Sequence, residues 1–228
     1  MRMMGESAME ASTSCNKVNT MKRQWSRREF SLATGFGLGA LTLPFAQGAP
    51  PRRLKFGHTG ITWGYQAENA EQAIKDVASL GYYGFESFGN VIEAWEPKGG
   101  IGRVLDEAKL PLISAYCGTT LSDPARRSAE IEKIVRWGKL IKKYGGTTAV
   151  IGPGNRGRNY DFAAAKPNII ATLNEMCKAL ADIGIIGALH QHTGTEVELH
   201  DEVYGVLEAV DSKYVRFGPD VGQLQKGG

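Results

Sequence analysis

The chain is short of cysteine, of histidine and of long apolar runs, and each shortage removes a class of protein. Its 228 residues include three cysteines and four histidines. Cys15 lies near the start, and Cys117 and Cys177 each sit among apolar neighbours. No disulfide framework or zinc ribbon can be built from these, and the two inner cysteines read as buried thiols. The uncharged stretch from Ser31 to Ala49 is diluted by Thr34, Gly35, Gly37, Gly39 and Pro44. It falls short of the roughly 20 strongly apolar residues of a bilayer span, so no stable membrane anchor is expected. An excess of one charge is missing as well. Six of the 27 Lys and Arg and three of the 24 Asp and Glu fall in residues 1–50, leaving 21 of each sign to residues 51–228. A neutral folding region has no electrostatic footprint for nucleic acid, which is not expected as a partner. What remains, 42% hydrophobic and 22% charged, fits a globular chain with a sizeable core.

The basic excess belongs to the first fifty residues. There Ser26-Arg27-Arg28-Glu29-Phe30 precedes the weakly apolar stretch, and Ala46, Gly48 and Ala49 offer small residues for cleavage. Paired arginines, a phenylalanine and a diluted apolar segment form the pattern of a twin-arginine export signal. Residues 1–50 are thus expected to be a leader read by the twin-arginine export machinery, with Met21 placed to be the initiator. Residues 51–228 would be the domain it carries to the periplasm or otherwise out of the cytoplasm. A disordered basic tail before a buried helix is the alternative.

From residue 53 onward, short β-type runs alternate with helical patterns. The strand candidates are Leu54–His58, Gly84–Phe88, Leu112–Tyr116, Thr147–Ile151, Ile185–Gln191 and Val215–Pro219. Apolar residues at helical spacing follow between them: Ala70, Ala73, Ile74 and Val77; Ile101, Val104, Leu105 and Ala108; Ile131, Ile134, Val135 and Ile141; Ile169, Leu173, Met176 and Leu180; Val203, Val206, Leu207 and Val210. Asp123-Pro124 is expected to open the third helix as cap and first residue. Leu80-Gly81, Tyr144-Gly145 and Ile183-Gly184 put glycine where a helix must turn left-handed before a strand. Strands buried on both faces and alternating with helices predict an α/β fold with a parallel sheet. The expectation is a (β/α)8 TIM barrel truncated after about six βα units, with an open doubly wound sheet as the alternative.

In parallel α/β folds the site lies at the carboxyl ends of the strands, and the chemically capable residues cluster there. His58 and Trp63 close the first strand, Glu86 the second, Tyr116 and Cys117 the third. His190 and His192 close the fifth, and Asp220 and Gln223 the sixth. His190 and His192 share a face by the period of a strand and could reach one ion; hydrogen-bonded core histidines are the competing account. Asp220 could equally cap a helix. Glu86 lies between Phe85 and Ser87, where burial without a partner is costly, which favours a functional role. Gly152-Pro153-Gly154 lacks the Lys-Ser/Thr of a phosphate loop and reads as a βα turn.

The runs Ala188-Leu-His-Gln-His-Thr-Gly-Thr-Glu-Val-Glu198 and Phe217-Gly-Pro-Asp-Val-Gly-Gln-Leu-Gln-Lys-Gly-Gly228 resemble the xylose-isomerase-like barrels. So do the phrases Phe56-Gly-His-Thr-Gly-Ile-Thr-Trp63 and Leu80-Gly-Tyr-Tyr-Gly-Phe-Glu86. That group holds sugar phosphate isomerases/epimerases, inosose dehydratase and endonuclease IV. The resemblance implies a divalent metal ion (Mn, Mg, Co or Zn), placed on His190 and Asp220. It also implies proton abstraction next to a carbonyl of a small sugar or cyclitol. Glu86 and His192 would move the proton, while His58, Trp63, Tyr116 and Gln223 would bind substrate. The sequence departs from the family where many relatives have Glu at the position of His190 and His at that of Gln223. An inosose-dehydratase-like lyase and a non-catalytic carbohydrate-binding barrel are the other readings. The nuclease is disfavoured by few histidines and neutral charge, and a homo-oligomer is left open.

Overall fold

The computed structural model describes residues 54–228, and the leader expected over residues 1–50 lies outside the described residues. Thirteen strands and helices alternate along the chain: β1 (Gly57–Thr59), α1 (Ala70–Ser79), β2 (Gly84–Phe88), α2 (Gly89–Trp95), α3 (Gly102–Ala108), β3 (Leu112–Thr119), α4 (Arg127–Lys143), β4 (Thr148–Pro153), α5 (Phe162–Asp182), β5 (Ile186–Leu189), α6 (His200–Leu207), β6 (Val215–Phe217) and α7 (Val221–Gly227). The helix exits at Gly81, Gly145 and Gly184 carry φ of 77°, 84° and 79°, a conformation that glycine reaches without the steric cost of a Cβ.

All six strands are parallel and pair in chain order, from β1 to β6. A doubly wound sheet reverses its order at a switch point, and this one does not. The fold is therefore α/β of the TIM-barrel type, with six of the eight strands of such a barrel described.

The two faces of the sheet differ in burial. Phe85, Ala115, Cys117, Ala149, Ile151, Leu189 and Val215 are all at most 4% exposed. This is the side the helices cover: a Cβ on Gly187 would collide with Cys177 of α5. Each fully buried large side chain on that side contributes about 1.5–3 kcal/mol. Burial pushes the Cys177 thiol up to about 12 and Cys117 higher still, so neither is a nucleophile. The opposite, concave face carries Glu86, Ser114, Tyr116, Thr148, Val150 and His190. It is less covered, with Ile186 49% exposed and Arg216 exposed at the edge.

The structure differs from the sequence expectation at several ends. β5 stops at Leu189 rather than Gln191, and β1 spans Gly57–Thr59. α4 begins at Arg127, because the Asp123 carboxylate accepts from the Ala125 amide and forms a turn instead of a cap. α2, only seven residues long, is too short to display a helical period.

Candidate functional site

The hydrogen-bond register determines which strand-end residues share the concave face. Glu86 pairs with Ser114 and Phe88 with Tyr116. Gly118 pairs with Gly152, and the amides of His190 and Gly218 continue that row by donating to Ile151 and Leu189. Rings then run across the mouth in edge contact: Tyr65 to Phe88 at 5.0 Å, Phe88 to Tyr116 at 6.2 Å, Tyr116 to His190 at 5.8 Å. His192 follows His190 at 6.3 Å. The Tyr116 hydroxyl lies over Gly152, where a Cβ would collide with it. Glu86, half-buried, stands a row below Tyr116 and accepts from the Ser114 hydroxyl at 2.7 Å.

Both mouth histidines have one nitrogen committed. His190 Nδ1 lies 3.1 Å from the Gly218 carbonyl, and His192 Nδ1 lies 2.9 Å from the Thr193 carbonyl. A carbonyl can only accept, so Nδ1 carries the proton and Nε2 keeps its lone pair in the neutral ring. Burial pushes the Tyr116 phenol above its ordinary value, with smaller contributions from Tyr65, Cys117 and Glu86. The phenol is thus kept as an O–H donor. Gln223 accepts from the Thr193 amide at 3.2 Å and hydroxyl at 2.7 Å, which fixes its oxygen and leaves its amide nitrogen to donate.

Asp220 caps α7: its Oδ1 accepts from Gly222 at 2.8 Å and Gln223 at 3.0 Å, so one carboxylate oxygen is left. His58 and Trp63 form a separate cluster. His58 pairs with Phe85 rather than Glu86, which turns it to the helix-covered side. Its ring packs 5.7 Å from Trp63 and 4.9 Å from Tyr82, and the Trp63 indole donates to Asp76 of α1 at 2.9 Å. The structure therefore brings together Tyr116, His190 and His192, places Glu86 beneath them and Asp220 and Gln223 on the adjoining loop, and leaves His58 and Trp63 apart.

Sequence reasoning missed the residues that hold the mouth loops. Glu196, 2% exposed, accepts from Leu121 N at 2.7 Å, Gly154 N at 3.2 Å, Ser122 N at 3.3 Å and Ser122 Oγ at 2.5 Å. The loops after β3, β4 and β5 thus meet on one carboxylate. The Gly154 amide, in the segment read as a βα turn, is engaged by this carboxylate. Arg156 reinforces the join, donating to the Thr195 carbonyl at 2.6 Å and pairing with Glu202 at 2.5 Å and Glu198 at 3.3 Å. Cavities of about 430 and 410 Å³ lie at the amino end of β3, beside Lys109 and Tyr144, and along α4, beside Arg127 and Ile131. Neither includes a residue of the mouth.

The metal ion implied by the resemblance needs about four or more donors. Among the described residues no group of three or more His, Cys, Asp or Glu is placed to hold one. His190 and Asp220 supply two donors on neighbouring strand ends, and one Asp220 oxygen is already engaged in the cap. The described residues do not by themselves fit the ion, and no chemical step is routed through it.

A family model described as Xylose isomerase-like TIM barrel matches residues 74–228. No curated protein matches the chain by sequence. Among solved structures, 3-keto-D-glucoside 4-epimerase from E. coli is similar with a TM-score of 0.61 at 16% identity, over 75% of this chain and 70% of that one. D-psicose 3-epimerase in the presence of D-fructose gives 0.64 at 17% identity, over 76% and 65%. The probable 3-DHS dehydratase from Bacillus anthracis gives 0.64 at 15% identity, over 76% and 65%. At these identities the likeness shows the fold alone. The chain spans 65% of the length of the last two, about two thirds.

Proposed function

The chain belongs to the xylose isomerase-like TIM barrel family, and from that membership we propose that it is a sugar isomerase or epimerase, moving a proton on the carbon next to a carbonyl of a small sugar or cyclitol. The observation that carries this reading is His190 in edge contact with Tyr116 at the mouth, with His192 6.3 Å from it, each imidazole tied through Nδ1 to a backbone carbonyl. In the proposal His192 Nε2 takes the proton, and the fixed tautomer keeps that lone pair available without reorganisation. The Tyr116 hydroxyl donates to the oxygen on which charge develops. His190 and the Gln223 amide nitrogen orient substrate oxygens, and Glu86 is the second proton-handling group, sharing the same face one row down. With residues 1–50 read as an export leader, the proposed substrate is an unphosphorylated sugar or cyclitol.

The test is exchange in D2O. Ketohexoses and inososes are incubated with the full chain, with and without Mn or Mg salts, and the carbon next to the carbonyl is followed by NMR. The expected result is deuterium uptake with appearance of an epimer or isomer, reduced by roughly 10²- to 10⁴-fold in His192→Ala. No exchange on any substrate in either condition overturns the proposal. A product that has lost water assigns the chain to the lyases, a reading supported by the likeness to the dehydratase and by the shared first proton step.

A further inference from the structure

The row of rings across the mouth ends in a residue that the proposed chemistry does not use. Tyr65 follows the 3-10 turn Gly60–Trp63, on the loop after β1. It is 56% exposed, while Phe88, against which its edge packs at 5.0 Å, is 5% exposed. Exposed aromatics scattered singly over a surface carry no meaning, but Tyr65 is not single. It is the outer end of a continuous series that reaches His190 through Phe88 and Tyr116. Its position is fixed from below, since Asn90 of α2 donates its side-chain N–H to the Tyr65 carbonyl at 3.3 Å. On β3, between the Phe88 strand and the His190 strand, the row of His190 carries Gly118, exposed between the buried Cys117 and Thr119. No side chain stands on β3 at that row.

An amphipathic ring with its edge seated and much of its surface open is suited to a ligand with one apolar face and one row of hydroxyls. We infer that Tyr65 is a substrate-binding residue of this site, stacking on the C–H face of a sugar or cyclitol whose carbonyl end is turned toward His190 and His192. The inference rests on the proposed isomerase or epimerase reading and deepens it: selectivity is for a substrate with a contiguous C–H face, and the stacking contributes equally before and during proton transfer. Binding that is uniform in this sense acts on KM and leaves kcat alone.

The experiment uses the full chain with D-fructose, D-allulose and a keto-inositol as probes, and the variants Tyr65→Ala, Tyr65→Phe and Tyr65→Trp. Steady-state exchange kinetics are read together with saturation transfer from protein aromatic protons to sugar C–H protons. Tyr65→Ala is expected to raise KM roughly three- to tenfold with kcat unchanged, and to lose most of the saturation transfer. Tyr65→Phe and Tyr65→Trp are expected to restore both. Thermal melts of Tyr65→Phe and Tyr65→Trp should coincide with the unaltered protein, while Tyr65→Ala, which loses an edge contact with Phe88 worth about 0.5–1.5 kcal/mol, should melt somewhat lower but stay folded at the assay temperature. If Tyr65→Ala leaves KM within about 1.5-fold, or lowers kcat while KM stands still, the inference is overturned and the isomerase reading survives. If the unaltered protein neither binds nor exchanges any probe, both are overturned.

Discussion

Replacing Glu196 by Gln changes one atom's chemistry and should cost the protein a large part of its stability. The carboxylate receives four donors from two loops, three of them backbone amides, and has almost no contact with water. A carboxamide of the same size keeps one acceptor and turns the other into a donor. One hydrogen bond to a charged acceptor, worth about 1.5–3 kcal/mol, is lost, and the donors now facing N–H are left unpaired at about 1–3 kcal/mol. The expected deficit is about 3–5 kcal/mol, against a total of about 5–15 kcal/mol for a domain. With a urea slope of about 2 kcal/mol/M, the unfolding midpoint should fall by about 2 M.

Hydrogen exchange separates a loop effect from a general one. The amides of Leu121 and Gly154 should lose protection in Glu196→Gln well beyond the amide of Ile151, which lies in the sheet. Because these loops frame the mouth, proton exchange into a ketose should decline as well. A midpoint within about 0.3 M of the unaltered protein, or equal loss of protection at Leu121 and Ile151, would refute the assignment of Glu196 as the joint of the mouth loops.

A second buried carboxylate should make stability depend on pH. Glu130, 3% exposed, accepts from Thr119 at 2.8 Å and pairs with Lys133 at 2.5 Å and Arg126 at 2.7 Å. Burial alone would raise its carboxyl, but Lys133 and Thr119 outweigh that and hold it below the ordinary value. A value lower in the folded than in the unfolded chain stabilises above the unfolded value of about 4.3 and is lost as pH falls through the folded one. Urea titrations of Glu130→Gln should therefore show a deficit of about 1–3 kcal/mol at pH 7 that shrinks below about pH 4, and a deficit constant with pH would count against it. For the leader, substituting both Arg27→Lys and Arg28→Lys should trap the full chain in the cytoplasm of a host with twin-arginine export; unchanged export on cell fractionation would remove that reading.

The sheet was legible in the sequence because its signals are local. Each strand is a short apolar run, each helix repeats its apolar residues at helical spacing, and glycine marks three helix exits whose backbones do turn left-handed. Chain-order pairing followed from one rule about parallel units rather than from any residue. What escaped were elements whose signal is shorter than their period. α2 has two turns and begins directly at the end of β2, so its apolar positions merge with those of the strand. The true start of α4 escaped because Asp123 could satisfy either a cap or a turn, and only the position of the Ala125 amide decides between them.

For the candidate site, the limiting quantity was parity. Moving one residue along a strand carries a side chain to the other face of the sheet, so a strand-end histidine reaches the mouth or the helix layer according to register. His190 and His192 were paired in the sequence by strand parity, but β5 ends at Leu189, and the two rings lie 6.3 Å apart on the loop that follows it. On β1, only the pairing of His58 with Phe85 turns its ring away, and three residues of strand contain no alternation from which to read it. Glu86 stands level with Ser114, whose hydroxyl it accepts from, only because Ile113 is skipped in the ladder between Leu112 and Ser114. Glu196 and Tyr65 lie outside any strand, on loops where neither periodicity nor parity applies. A carboxylate with four donors and a ring seated on Phe88 come from distances between segments far apart in the chain. The backbone rules thus locate the end of the barrel at which chemistry belongs, and the loop contacts decide what that end can hold.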